Sequence, residues 1–310
     1  MIEPAVRLDE LTRRFGDLTA VAALSFEVQP GELFGIVGPD GAGKTTLLRM
    51  LAGVLPPSAG DAHVLGLPVG REPERVKHEI AYMAQRFGLY EDLTVRENIL
   101  FYADLYRVPR RERPQRMERL YAFSRLGEFE DRLAGKLSGG MKQKLSLCCC
   151  LIHHPRVLLL DEPTFGVDPI SRRDLWLILH EMVAEGVTVL VSTSYMDEAE
   201  RCDRVAMLHE GRLLALDTPD RLRASLGGIM LALHADSGRS ARSAALAVPG
   251  VQAATLFGDM VHVHAGEAMR ADWLQATLAA QGVAVRAVEA IDPSLEDVFI
   301  DLVARDNRAR

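Results

Sequence analysis

Gly38-Pro39-Asp40-Gly41-Ala42-Gly43-Lys44-Thr45 is the stretch from which the rest of the chain is read. It fits G-x-x-x-x-G-K-[ST], the phosphate-binding loop. Leu33 to Val37 before it is a short apolar run, expected as a buried strand. Thr46 to Ala52 after it carries good helix formers at apolar spacing. Strand, glycine turn and helix are the context in which such a loop holds phosphate. The glycines let the backbone turn its N–H groups inward, and the helix N-terminus aims a partial positive charge at the same place. On this reading Lys44 reaches the β- and γ-phosphates of a nucleotide and the Thr45 hydroxyl ligates Mg²⁺. The loop predicts a nucleotide without saying what the nucleotide is for.

The 310 residues allow one large domain or two ordinary ones, and 48% hydrophobic with 25% charged residues is the range of a globular protein with a real core. A net charge of −7 speaks against a nucleic-acid partner and against binding anionic lipid through bulk charge. The four cysteines, Cys148, Cys149, Cys150 and Cys202, contain no C-x-x-C spacing, which argues for small buried side chains rather than a zinc site or redox pair. Met1-Ile2-Glu3-Pro4 lacks the basic start and apolar core of a signal peptide. No apolar run approaches the ~18 residues that span a bilayer. The expectation is a cytoplasmic chain with no direct membrane span; if it works at a membrane, another chain holds it there.

Outward from the loop, residues 5–11 and 24–28 alternate apolar and polar as two half-exposed strands, with Phe15-Gly16 between them. Asp61 to Leu65 and Ile80 to Ala84 are further strands. Thr94 to Tyr106 and Arg113 to Leu126 carry helical spacing, punctuated by Pro109 and Pro114, so about 90–135 is a helical insertion. Ser138 caps a helix from Met141 to Ile152, which extends the helical subdomain to about 90–152. Val157 to Leu160 is an apolar strand ending in Asp161-Glu162, and Pro169 to Ala184 a helix with proline in its first turn. Val187 to Val191, a helix from about Met196 to Cys202, and a hairpin of Val205 to Leu208 with Leu213 to Leu216 complete an α/β domain of 1–225 with a mostly parallel sheet. After Gly227-Gly228 the order strand 229–234, helix 240–247, strand 251–257, strand 260–264, helix 270–280, strand 283–289 matches a split βαββαβ, ferredoxin-like α+β domain of 226–310. Pro293 to Asp297 opens a terminal helix.

Three pieces carry chemistry beyond the loop. Asp161, at the strand end, can hold the Mg²⁺ shell, and Glu162 can orient and deprotonate an attacking water. Leu137-Ser138-Gly139-Gly140-Met141 is another helix N-terminus with a serine and bare backbone, a second anion site.

In this order the motifs resemble the ABC-type ATPases, over residues of about 5–222: the loop at 38–45, Gln85 after a strand as in the Q-loop, the signature at 137–141, the Walker B strand at 158–162, and Gly166-Val167-Asp168 as the D-loop. The resemblance implies a P-loop NTPase fold with ATP and Mg²⁺ as ligands. It also implies head-to-tail pairing in which each ATP sits between one chain's phosphate loop and the other's signature. Lys44, Thr45, Gln85, Asp161 and Glu162 would then serve this chain's own site, with Gly38, Pro39, Asp40, Gly41, Ala42, Gly43 and Thr46 around the phosphates and Thr45, Gln85 and Asp161 at the metal. Ser138, Gly139, Gly140 and Asp168 would serve the partner's ATP, and Phe15 would stack on adenine.

One position departs from the family. Its members usually carry S-T-H after the strand that follows Walker B; here the phrase is Ser192-Thr193-Ser194-Tyr195. An imidazole reaches the γ-phosphate and holds water and glutamate in line, whereas serine is shorter and neutral. Losing one donor where charge develops costs roughly 3 kcal/mol. Two readings stand: a hydrolytically weak site, or a harmless substitution with Glu162 sufficient. His180, His153 and His154 read as packing or surface residues, and the arginines from Arg107 to Arg119, interspersed with Glu112 and Glu118, as a solvated helix face.

Gly88 to Asn98 and Pro293 to Leu302 look like the exporter ATPases related to drug-resistance and lipid-linked efflux, and S-T-S-Y with Gly38-Pro39-Asp40-Gly41 is similar to the amino-terminal half of bacterial tandem drug-efflux subunits. The implied function is an ATP-hydrolysing subunit of a membrane exporter on the cytoplasmic face of the inner membrane. Its implied partners are a separately encoded multi-span permease and a second ATPase domain, either itself or a histidine-containing paralogue. The alternatives are an ATP-locked dimerisation module with little turnover and a soluble non-transport ATPase of the same family.

Overall fold

Five consecutive buried residues, Leu33–Val37, form β3, which lies between β8 (Thr188–Thr193) and β9 (Arg204–His209) in a six-stranded sheet. The order is β10-β9-β3-β8-β7-β6, with β7 at Val157–Asp161, β6 at Ile80–Met83 and β10 at Arg212–Asp217. Every neighbouring pair is parallel except β10 with β9. Strands of a parallel sheet are covered on both faces and read as unbroken apolar runs, and all five residues of β7 are buried. The computed structural model describes residues 3–85 and 88–309.

Helix α1 (Lys44–Leu51) runs from the end of β3 and buries Leu47, Leu48, Met50 and Leu51. It sits between two sheets. Leu8, Leu11, Val21, Leu24 and Val64 reach it from one side and Ile36, Leu159, Leu190 and Ala206 from the other. The first group belongs to an antiparallel sheet of β1 (Val6–Phe15), β2 (Leu18–Val28), β4 (Ala59–Val64) and β5 (Leu67–Pro68). Its hairpin is longer than the alternating residues 5–11 and 24–28 predict. Pairing continues past three register shifts to Phe15↔Leu18, so Phe15 ends a strand instead of lying between two. The extra length carries Arg13 and Arg14 on its partly exposed end, where apolar alternation lapses but the backbone ladder does not.

Helices α2 (Pro73–Glu79), α3 (Val95–Leu105), α4 (Arg113–Ser124) and α5 (Gly139–Leu151) follow. Thr94 and Glu97 close a capping box on α3. The arginines near α4 are paired, Arg113 with Asp104 at 2.7 Å and Arg116 with Glu112 at 2.6 Å. Cys148 is fully buried in α5, and burial pushes its thiol up to about 12, which leaves it unreactive. Helix α6 (Pro169–Ala184) packs on β8 and β3, burying Leu175, Trp176 and Leu179. Helix α7 is one turn, Met196–Ala199, shorter than the expected span to Cys202.

Contacts divide the chain between residues 217 and 218 rather than near 225, because helix α8 (Pro219–Ala224) packs against the last helix, α11 (Leu295–Ala309). The second unit contains β11 (Ile229–Ala235), α9 (Gly238–Leu246), β12 (Val251–Phe257), β13 (Met260–Ala265), α10 (Ala271–Ala280) and β14 (Val285–Ile291). Its sheet order is β12-β13-β11-β14, fully antiparallel, the arrangement of a split βαββαβ unit. Leu231, Leu233, Val261 and Val263 meet Leu274 and Leu278 in its core. His262 Nδ1 lies 2.9 Å from Asp297 Oδ1, tying the sheet to the first turn of α11.

The loop between β3 and α1 is squeezed by its neighbours. A Cβ at Gly38 would lie 2.2 Å from the Leu208 carbonyl oxygen of β9, and at Gly43, whose φ is 101°, 2.3 Å from that of Ala20. Backbone cannot yield cheaply, so Gly38→Ala is expected to cost about 1–3 kcal/mol. At Gly70 a Cβ meets nothing within 4 Å, and Gly70→Ala should stay within about 0.5 kcal/mol of the parent. Urea denaturation of both variants checks the contrast; equal midpoints would remove the steric argument.

Candidate nucleotide site

The register of the parallel sheet brings three strand ends together. Asp161 of β7 pairs with Ser192 of β8, and Val37 of β3 with Thr193. Ligand sites of open α/β sheets form where such carboxyl ends meet. Thr45 Oγ1 and Ser192 Oγ both donate to Asp161 Oδ1, at 2.9 Å each, and Asp161 is 1% exposed. The Tyr82 hydroxyl donates to Oδ2 at 3.4 Å; burial and then the Asp161 charge raise its pKa, so it stays a donor.

Lys44 Nζ donates to the Gly38 and Pro39 carbonyls at 2.7 and 3.1 Å and lies 3.2 Å from Glu162 Oε1. Gln85 Nε2 donates to Glu162 Oε2 at 2.9 Å. The Glu162 backbone has φ of 49°, a left-handed conformation that non-glycine residues adopt at a cost and retain where their surroundings fix them. Here its N–H donates to Ser192 Oγ at 3.0 Å.

Lys44, Thr45, Gln85 and Glu162 face one cleft of about 500 Å³, lined also by Phe15, Leu18, Ala20, Asp40 to Gly43, Thr46 and Phe165, while Asp161 and Ser192 lie buried behind it. Pocket, lysine, hydroxyl and carboxylates suit a phosphorylated ligand with a hard cation, which prefers oxygen donors of the Thr45 and Asp161 kind. Gly41 and Gly43, with φ of 80° and 101°, take the left-handed turns that leave the loop's amides free to curl.

Ser138, Gly139, Gly140 and Asp168 do not line that cleft. They meet elsewhere. Ser138 caps α5 by accepting from Met141 N–H at 3.3 Å. Asp168 caps α6 through the Ile170 and Ser171 N–H groups at 3.1 and 3.0 Å. The Ser171 bonds, chiefly, hold its carboxyl below the usual range. A Cβ at Gly140 would meet Ser171 Oγ at 2.2 Å, so two helix N-termini lie side by side on this surface. Ser194 follows β8, half-buried, and is not part of the cleft lining.

Sequence reasoning missed the groups that hold these residues. Glu198, fully buried, accepts from Thr164 Oγ1 at 2.8 Å and Thr193 Oγ1 at 2.7 Å, and Arg172 lies 3.5 Å from its other oxygen and over the Tyr195 ring. Ser192 is visible in the sequence only as a letter of the S-T-S-Y phrase, and Phe165, between the Walker B strand and the D-loop, falls in no motif. A buried carboxylate four residues after Ser194 has no period or spacing that marks it. Neither His153 nor His180 reaches the cleft lining. His153 stacks on Tyr106 with centroids 3.8 Å apart, and burial lowers its pKa to about 4.

Comparison with known proteins agrees with this geometry. The family profile "ABC transporter" matches residues 21–165, and one described as "ATP-binding protein DrrA1-3-like, C-terminal domain" matches 218–303. The chain is 44% identical over 308 residues to a probable multidrug ABC transporter ATP-binding protein of Escherichia coli (strain K12), covering 98% of this chain and 53% of that protein. It therefore spans about half the length of that relative. It is 37% identical over 307 residues to the Nod factor export ATP-binding protein I of Rhizobium sp. (strain N33), covering 99% of each. Among solved structures, an ATP-binding subunit of an ABC transporter matches with a TM-score of 0.66 and 30% identity, covering 71% of this chain and 92% of that one. A dimeric ATP-binding cassette described in a post-hydrolysis state with ADP and Pi matches with a TM-score of 0.63 and 25% identity, covering 69% and 98%. Sequence and fold thus converge, and this chain belongs to the ATP-binding proteins of the ABC transporter family, with a DrrA-like C-terminal domain.

Proposed function

We propose that the chain is an ATP-hydrolysing subunit that powers a membrane exporter of the multidrug or lipid-like class. The observation that carries this reading is the convergence of Lys44, Thr45, Glu162 and Gln85 on one cleft, with Asp161 buried directly behind Thr45 and the signature residues outside the cleft lining. A site so divided is complete only when a second ATPase domain lays its Ser138 and Gly140 counterparts against this chain's phosphate loop. The related cassette described as dimeric with ADP and Pi supports both the pairing and the hydrolysis. The name of the Nod factor export relative supports the direction of transport.

In this reading an incoming triphosphate takes Lys44 from Gly38 O, Pro39 O and Glu162. Phe15 stacks the base. Thr45, Gln85 and Asp161 would hold Mg²⁺, which would supply positive charge against the phosphates. Glu162, released from Lys44, accepts a proton from the attacking water while Gln85 keeps its carboxylate aimed. Among the described residues no helix is long and apolar enough to cross a membrane. The reading includes a separate permease, which the transporter names of the relatives support, and a peripheral place on the cytoplasmic face of the membrane. A second reading, an ATP-locked dimer with little turnover, has Ser194 in its favour.

Glu162→Gln should lower the ATPase rate about 10²–10⁴-fold while ATP binding persists. With ATP this variant should double in mass by light scattering, alone or with a companion ATPase; a strictly monomeric form in both cases would sink the shared-site proposal. Ser194→His should raise turnover by about 10²–10³ if the missing donor limits the rate. No gain in a phosphate-release assay means that the serine costs nothing.

A further inference from the structure

Phe15 stands at the tip of the β1–β2 hairpin, before a two-residue turn in which Gly16 takes φ of 57°. The residue is 44% exposed and lines the nucleotide cleft. A ring so exposed would ordinarily sample several orientations. Arg13, two residues earlier on the same strand, projects to the same side, and its guanidinium carbon lies 4.6 Å from the ring centroid. Arg13 does not line the cleft.

The arginine is itself held. Nη1 donates to the Pro56 carbonyl at 2.8 Å, across to the chain ahead of β4. Nε is buried and has no hydrogen-bond partner. Among the described residues no carboxylate pairs with Arg13. A guanidinium partly withdrawn from water, with one carbonyl and no counter-ion, finds its remaining electrostatic partner in the negative face of the ring. One face of Phe15 is therefore covered by a cation that is pinned to a neighbouring segment, and the open face is left to the cleft.

We propose that Arg13 is a positioning residue for the base of the nucleotide: it clamps Phe15 from behind, so that the ring presents a fixed face to a stacking base. This rests on the reading of the cleft as an ATP site and deepens it. The gain comes from preorganisation, because a ring already held loses little freedom when the base arrives. It concerns the base alone; the phosphates are held by the loop at 38–45, with which Arg13 shares no contact in the cleft.

The test compares ATP with inorganic tripolyphosphate, which offers the phosphates without the base, by calorimetric titration of the full chain with EDTA present to prevent turnover. Arg13→Gln should weaken ATP binding roughly 3- to 10-fold and leave tripolyphosphate binding unchanged. Arg13→Lys, which keeps the cation and loses the flat fork, should fall between. In a Phe15→Ala background, Arg13→Gln should cause no further loss, because the ring through which it acts is gone. Unchanged ATP affinity, an equal loss for ATP and tripolyphosphate, or an additive loss in the Phe15→Ala background would each overturn the proposal. The tripolyphosphate titration also reports that the phosphate loop remains folded. Failure of the unmodified chain to bind ATP would instead overturn the nucleotide reading, and the role of Arg13 with it.

Discussion

A lysine ammonium and a glutamate carboxylate lie 3.2 Å apart, with the side chains 5% and 9% exposed, and the site is arranged around that pair. Withdrawing two charges from water costs several kcal/mol each, and the cost is met only where geometry and further hydrogen bonds are good. Here Gly38 O and Pro39 O share the ammonium, and Gln85 shares the carboxylate. Both charges can be adjacent only because β3 and β7 flank β8, which sets the phosphate loop and Asp161-Glu162 at neighbouring strand ends. The sheet order is thus inseparable from the pairing. In the proposed function a polyanion would draw Lys44 away from this carboxylate and free Glu162 to act as a base. The resting pair keeps both groups buried and satisfied until then.

Much of this was legible in the chain itself. The run Leu33 to Val37, the glycines at 38, 41 and 43, and the run into Asp161-Glu162 fix strand, turn and carboxylates through local rules, since each needs only its own neighbours to form. The second unit could be read element by element for the same reason: apolar period switches between two and 3.6 at each boundary. What stayed hidden is not set by the residues of the element itself. The β1–β2 hairpin runs to Phe15 because backbone pairing continues where the apolar signal has stopped. Helix α7 stops at Ala199 although the residues beyond it are not helix breakers. The division at 217 follows α8, whose attachment to α11 joins residues more than seventy positions apart. The left-handed backbone at Glu162 has no sequence mark either, because glycine or asparagine would be the usual sign.

The supporting groups explain why the cap at Ser138 could be read from sequence while the anchors of the segment around Ser194 could not. Ser138 and Asp168 cap helices they directly precede, a short-range arrangement. The segment after β8 is instead anchored at distance: Ser192 to Asp161, Thr193 to Glu198, and Glu198 in turn to Thr164 and Arg172.

Those anchors bear on how the serine should be understood. Ser192 and Thr193 precede residue 194, and Tyr195, whose N–H donates to Thr193 Oγ1 at 3.0 Å and whose ring lies under Arg172, follows it. All three are held by groups other than residue 194. The main chain at this point therefore follows a path that does not depend on which side chain residue 194 carries. Exchanging imidazole for hydroxyl would shorten the reach of one donor and leave the frame standing. The departure is therefore one side chain on a segment that Asp161 and Glu198 hold in place. In the proposed exporter subunit, nucleotide binding and turnover would then be separable at this one residue.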